Sequence, residues 1–110
     1  MKQYVIDQLR ESDYDQIMDY LQKHTEKTIL EGIFWADLPR ELYSATQLEH
    51  TGCHPHYFAI NVNRKQVAFE LLIRSRQIIR CSCIGYANQE QRDHIIRFAD
   101  DMLRQLDIKL

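Results

Sequence analysis

Glycine and proline are scarce in this chain of 110 residues, with three of one and two of the other. That leaves little punctuation for a linker, and no internal repeat or low-complexity tract is visible. Residues 1–110 therefore read as one domain. No charge of one sign dominates either, since 14 basic and 16 acidic side chains are interspersed for a formal net charge of −2. A nucleic-acid binder would carry a basic excess or stripe, so nucleic acid is not an expected partner. Long hydrophobic runs are absent as well: none approaches the roughly 18–20 residues that span a membrane. Met1 to Arg10 lack the apolar core of a signal peptide. These absences point to a soluble cytoplasmic protein with no membrane partner. Cysteine is sparse and odd in number, at three, which predicts free thiols rather than a disulfide framework. Catalytic motifs are missing too. There is no Gly-x-Ser-x-Gly elbow, no phosphate-cradling glycine loop and no HExxH helix. No catalytic residue is assigned, and the reading leans away from an enzyme.

What is present belongs to a folded chain, with 45% apolar and 27% charged residues. Gln3 to Asp7 read as a strand rich in β-branched and aromatic residues. Ser12 is placed to cap a helix over 13–24, with Asp15 in the capping-box position. Tyr14, Ile17, Met18 and Leu21 form its apolar stripe. Residues 25–50 fit no single period. Leu38-Pro39 suggests a break, and Ser44 with Gln47 predicts a short capped helix from Ala45 to about His50. This stretch is expected to wrap one end of the core, with Trp35 as its anchor. His56–Val62, Gln66–Arg74 and Gln77–Tyr86 then read as a three-stranded antiparallel meander. Asn88 caps a last helix, with Gln91 in the capping-box position and a stripe of Ile95, Phe98, Ala99, Met102 and Leu106. The expected fold is α+β, in the order β-α-(α)-β-β-β-α. It would have an antiparallel sheet of three to four strands and helices packed on one face.

Hydrophobic patterning sets an expected register. If Val62 pairs with Val67, then Ile60 meets Phe69, Phe58 meets Leu71 and His56 meets Ile73. That face is nearly all apolar and should point at the helices. Extending it to the third strand places Ile79, Cys81 and Cys83 in the core. The opposite face carries Tyr57, Glu70, Leu72, Ile78, Arg80, Ile84 and Tyr86, too apolar for a plainly solvated surface. Glu70 and Arg80 are expected to pair across neighbouring strands, although with Arg74 and Arg76 they could also line an anion site.

One short run is rich in potential metal ligands: His50-Thr51-Gly52-Cys53-His54-Pro55-His56. His50 and Cys53 are two residues apart, and His54 and His56 share a side if the segment is extended. Zinc accepts both ligand types. A structural reading competes, because a histidine at a helix C-terminus is favourable in its own right. Cys81 and Cys83 are expected to stay out of this group. On a strand they lie roughly 6.5–7 Å apart on the core face, and in the proposed register they sit on the order of 10 Å from the strand carrying His56.

The opening strand, the capped helix and the later segment Tyr86-Ala87-Asn88-Gln89-Glu90-Gln91-Arg92 superficially resemble the N-acetyltransferase superfamily. That resemblance implies a glycine-rich turn holding a pyrophosphate. Here His94 and Ile96 stand where small residues belong, so no activity is carried over. The leading expectation is a non-enzymatic module that forms a homo-oligomer or docks a protein partner through the open sheet face. The alternative is a metal- or small-ligand-binding domain built on His50, Cys53, His54 and His56, with zinc as the candidate ion.

Overall fold

A computed structural model describes residues 1–109. It has three helices and a seven-stranded antiparallel sheet, the expected α+β class with more strands than predicted. In chain order the elements are β1 (Gln3–Ile6), α1 (Glu11–His24), β2 (Glu26–Lys27), β3 (Ile33–Asp37), α2 (Ala45–Glu49), β4 (His56–Val62), β5 (Val67–Glu70), β6 (Leu72–Ser75), β7 (Gly85–Tyr86) and α3 (Gln89–Gln105). Strands β1-β5-β4-β3-β2 lie side by side, while β6 pairs with the start of β4 and with β7.

Alternation along β4 divides the molecule into two sides. Phe58 and Ile60 face one side, where Phe34 of β3, Phe69 of β5, Ile17 and Leu21 of α1, and Ile95, Ala99 and Met102 of α3 join them in the core. Every one of these side chains is fully buried. At roughly 1.5–3 kcal/mol per large apolar side chain, this cluster is the main source of cohesion. Phe98 of α3 packs edge-on against both Phe58 and Phe69.

Local signals set most of the boundaries. Ser44 caps α2, its hydroxyl accepting from the Gln47 amide at 3.2 Å while Gln47 Oε1 accepts from the Ser44 amide at 2.9 Å. Asn88 and Gln91 close the same reciprocal pair at α3. Helix α1 starts at Glu11, before the predicted Ser12 cap, because the buried Asp13 carboxylate takes the Arg10 amide at 3.0 Å and its guanidinium at 3.1 Å.

The predicted pairing of Val62 with Val67 and Ile60 with Phe69 is observed. Beyond Glu70 the register changes. His56 meets Ser75, not Ile73, because Leu71 leaves the ladder: its amide donates to Lys2 O and its carbonyl accepts from Ala87. The two-residue offset keeps the same parity, so Ile73 still faces the core.

Two expectations for the sheet are corrected. Residues 26–37 extend the sheet as β2 and β3 rather than wrapping its end. Their tight turn rests on Gly32 at φ +80°, where an added Cβ would lie 2.5 Å from the Val62 carbonyl oxygen. This turn also reverses the expected role of Trp35. Phe34 and Ala36 are the core residues, and Trp35 lies on the far side against Tyr57, ring centroids 4.4 Å apart.

The second correction concerns Gln77–Tyr86, which is not a strand; only Gly85 and Tyr86 pair with β6. Ser75 turns the chain instead, its hydroxyl accepting from the amides of Gln77 and Ile78. Ile79 is 92% exposed rather than in the core.

Candidate metal centre

The loop after β6 brings two distant segments together. His50 ends α2, and Cys53 closes the 3-10 turn that follows it. This segment is tied to the end of β6 by the Ser75 hydroxyl, which donates to Cys53 O, and by the Arg76 amide, which donates to Pro55 O. Residues 76–84 then return toward the α2 end, where Gln47 Nε2 donates to Cys83 O at 3.2 Å. The His54–Pro55 peptide between the two halves of the histidine run is cis.

As a result His50, Cys53, Cys81 and Cys83 offer four ligand atoms that all lie within 4.8 Å of one another. His50 Nδ1 is 3.0 Å from Cys81 Sγ, and Cys53 Sγ is 3.7 Å from Cys81 Sγ. A tetrahedral zinc site with Zn–S bonds of about 2.3 Å has edges of about 3.8 Å. The observed spacings bracket that value, so the widest gap needs to close by only about 1 Å to take the ion. All three cysteines are free thiols.

The structure gathers two of the four sequence-predicted ligands and leaves two aside. His50 and Cys53 belong to the cluster. His54 does not; its Nε2 is engaged 2.6 Å from the Gln47 carbonyl, and its ring packs edge-on against Tyr43. His56 is fully buried behind the cluster, with Nε2 3.3 Å from Cys83 Sγ. Cys81 and Cys83, placed in a core strand by the predicted meander, instead join His50 and Cys53 in the cluster. The separation expected across the sheet holds only if residues 77–84 run straight as a strand, which they do not. Once Ser75 turns the chain, that separation disappears. Cys83 is buried and Cys81 partly open.

The local electrostatics differ from thiol to thiol. The Cys83 backbone amide, backed by the Cys83 thiol, His50 and Cys53, holds the Cys81 thiol down to about 6. Burial, followed by the neighbouring Cys81 and Cys53 sulfurs, pushes Cys83 up to about 12. One thiolate in this group is thus favoured and a second disfavoured, as expected of sulfurs sharing a small space. A divalent cation inverts that penalty, because its charge offsets several thiolates at once. Burial, with His54 and His50 nearby, lowers the His56 pKa below its ordinary 6.5.

On the opposite side of the sheet the predicted partner-binding residues are not equally free. Tyr57 is buried beneath Trp35 and the Arg76 guanidinium, which lies 5.3 and 5.4 Å from the two ring centroids. Arg76 also pairs with Glu26 and Asp37. Glu70 is engaged by Asn61 at 2.9 Å and Arg74 at 3.5 Å. It does not pair with Arg80, which has moved onto the loop and contacts no carboxylate among the described residues. Leu72 and Ile84 are half-buried, and Ile78 and Tyr86 are exposed. Among the described residues no helix is long and apolar enough to cross a membrane. No family model matches the chain, and no curated protein or solved structure is significantly similar to it.

Proposed function

We propose that the protein is a metal-binding α+β module that holds one zinc ion through His50, Cys53, Cys81 and Cys83. The observation that carries the reading is the convergence of one imidazole and three thiols, from segments about 30 residues apart, on a volume of tetrahedral size. Three soft thiolates with one imidazole favour zinc over magnesium or calcium, which take oxygen ligands. Four protein ligands fill a tetrahedral shell, so the role is structural: the ion staples loop 76–84 to the end of α2. A reducing cytoplasmic setting suits such a site, because it keeps the three thiols available to metal.

Elemental analysis of protein purified without a histidine tag tests the proposal. One zinc per chain is expected, lost on Cys81→Ser. Substoichiometric zinc, together with no thermal shift on adding Zn²⁺, would sink it.

A second reading keeps the outer sheet face as a surface for a second copy of the chain. Its support is a pair of exposed apolar patches, Ile29 and Leu30 beside Trp35 and Ile78 and Ile79 beside Tyr57, on either side of the Arg76 guanidinium that covers the Trp35–Tyr57 stack. Exposed apolar patches of this kind favour association. Sedimentation should then give a dimer that Ile79→Glu dissociates; a monomer at all concentrations rejects it.

A further inference from the structure

His56 opens β4 and is fully buried, yet it is no ordinary core side chain. Its Nε2 lies 3.3 Å from Cys83 Sγ. Its Nδ1 has no hydrogen-bond partner, the one buried side-chain atom so placed among the described residues. The ring is held edge-on by Tyr43 and His54, at centroid distances of 4.9 and 5.4 Å, and the Tyr43 hydroxyl accepts from the His56 amide at 2.8 Å. A buried polar atom left unpaired is destabilising. An apolar residue in this slot would avoid that cost.

We infer that His56 is a positioning residue of the metal centre, its Nε2–H donating to the metal-bound thiolate of Cys83. The inference rests on the metal reading above. Once Cys83 ligates a cation its sulfur carries no proton and can only accept. A neutral imidazole has one N–H, and only Nε2 faces a partner. Placing the proton on Nδ1 would aim the Nε2 lone pair at a thiolate and leave a buried N–H without an acceptor. The proton therefore belongs on Nε2, which accounts for the unpaired Nδ1 as an acceptor with no donor nearby. Zinc with three thiolates and a neutral imidazole carries a net charge of −1. A hydrogen bond to one sulfur withdraws part of that charge and holds the Cys83 side chain in its ligating position. Partners of this kind typically change metal affinity 10–100-fold when removed.

The test compares wild type with His56→Leu, which keeps bulk without a donor, and His56→Gln, whose amide nitrogen can replace Nε2. Each is titrated with Co²⁺ and Zn²⁺ against a competing chelator. Leucine should weaken binding about 10–100-fold and move the thiolate-to-cobalt charge-transfer band to lower energy. Glutamine should restore both. Long-range ¹H–¹⁵N spectra of the zinc-loaded wild type should show the proton on Nε2, a readout that does not depend on either variant folding. Wild-type metal affinity and band position in a folded His56→Leu protein, or a proton on Nδ1, would overturn the assignment and leave the metal site standing. A wild type that takes up neither ion removes the metal site itself.

Discussion

Strand β4 is held by different physics at its two ends. From Phe58 to Val62 its core-facing residues sit among α1, α3, β3 and β5, and packing alone secures them. At His56 the neighbours are histidine, cysteine and a tyrosine hydroxyl, and the covering segment 76–84 has no helix or strand until Gly85. The first end needs nothing beyond the chain. The second brings together polar and sulfur groups that could hold an ion. Stability that comes from the core and stability that comes from the metal should therefore separate when each end is perturbed alone.

The largest effect is expected from Phe58→Ala, which removes a fully buried ring at the centre of the core. It should cost about 3–5 kcal/mol, measured by denaturant unfolding. The loss should be the same with and without zinc. A loss that shrinks markedly on adding zinc would mean that the two ends are not energetically separate.

Zinc itself should act on the other end. At free zinc one hundredfold above the dissociation constant, binding adds about 2.7 kcal/mol, and Cys53→Ser or Cys81→Ser should abolish the gain. Amide exchange gives the sharper measurement. Protection should rise for residues 76–84 and 50–54 and stay unchanged at 58–62. Uniform protection across β4 would contradict a local staple.

Ser44→Ala should have a more modest effect. The Ser44 hydroxyl caps α2, whose last turn delivers His50, and loss of such a cap costs about 1 kcal/mol. Because α2 serves the metal end, zinc affinity should fall too. The equivalent change at α3, Asn88→Ala, should lower stability by a similar amount and leave affinity nearly untouched.

These contrasts also explain what could be read in the sequence. The caps at Ser44/Gln47 and Asn88/Gln91 are legible because each is a contract between a side chain and an amide three residues away. The Val62–Val67 register follows from a short polar turn and an alternating pattern on both sides. Strands β2 and β3 were hidden by Gly32, whose positive φ makes a tight turn inside an apolar stretch that has no clear period. Half of the candidate site was visible because His50 and Cys53 are near neighbours. Cys81 and Cys83 were not, since alternation around them imitates a strand. What prevents the strand is Ser75, whose hydroxyl serves Gln77, Ile78 and Cys53 at once. The turn at Ser75-Arg76 is local and legible; what no local pattern announces is that the chain beyond it is held by contacts to Cys53 and Gln47 rather than by strand pairing.

The smallest expected effect is a slope in stability against pH, and it again sets one end against the other. Burial lowers the pKa of His56 at the metal end, and likewise of His94, which packs against Phe58. Both therefore bind protons more weakly folded than unfolded. Their contribution is complete above the ordinary histidine value of 6.5 and is lost as pH falls through the lowered folded values. Cys81, held down to about 6, titrates with the same sign, so the histidine share is the difference between wild type and variant. For metal-free protein, thermal melts between pH 7.5 and about 5 should show stability falling with acid, less steeply in His94→Gln. Zinc should not change the His94 share, because the core end does not contact the ion. It should enlarge the total slope, since protons compete with the metal for its thiolates and imidazole. A His94 share that vanishes in zinc would show that the ion's influence reaches Phe58, and β4 would then have to be treated as one cooperative unit.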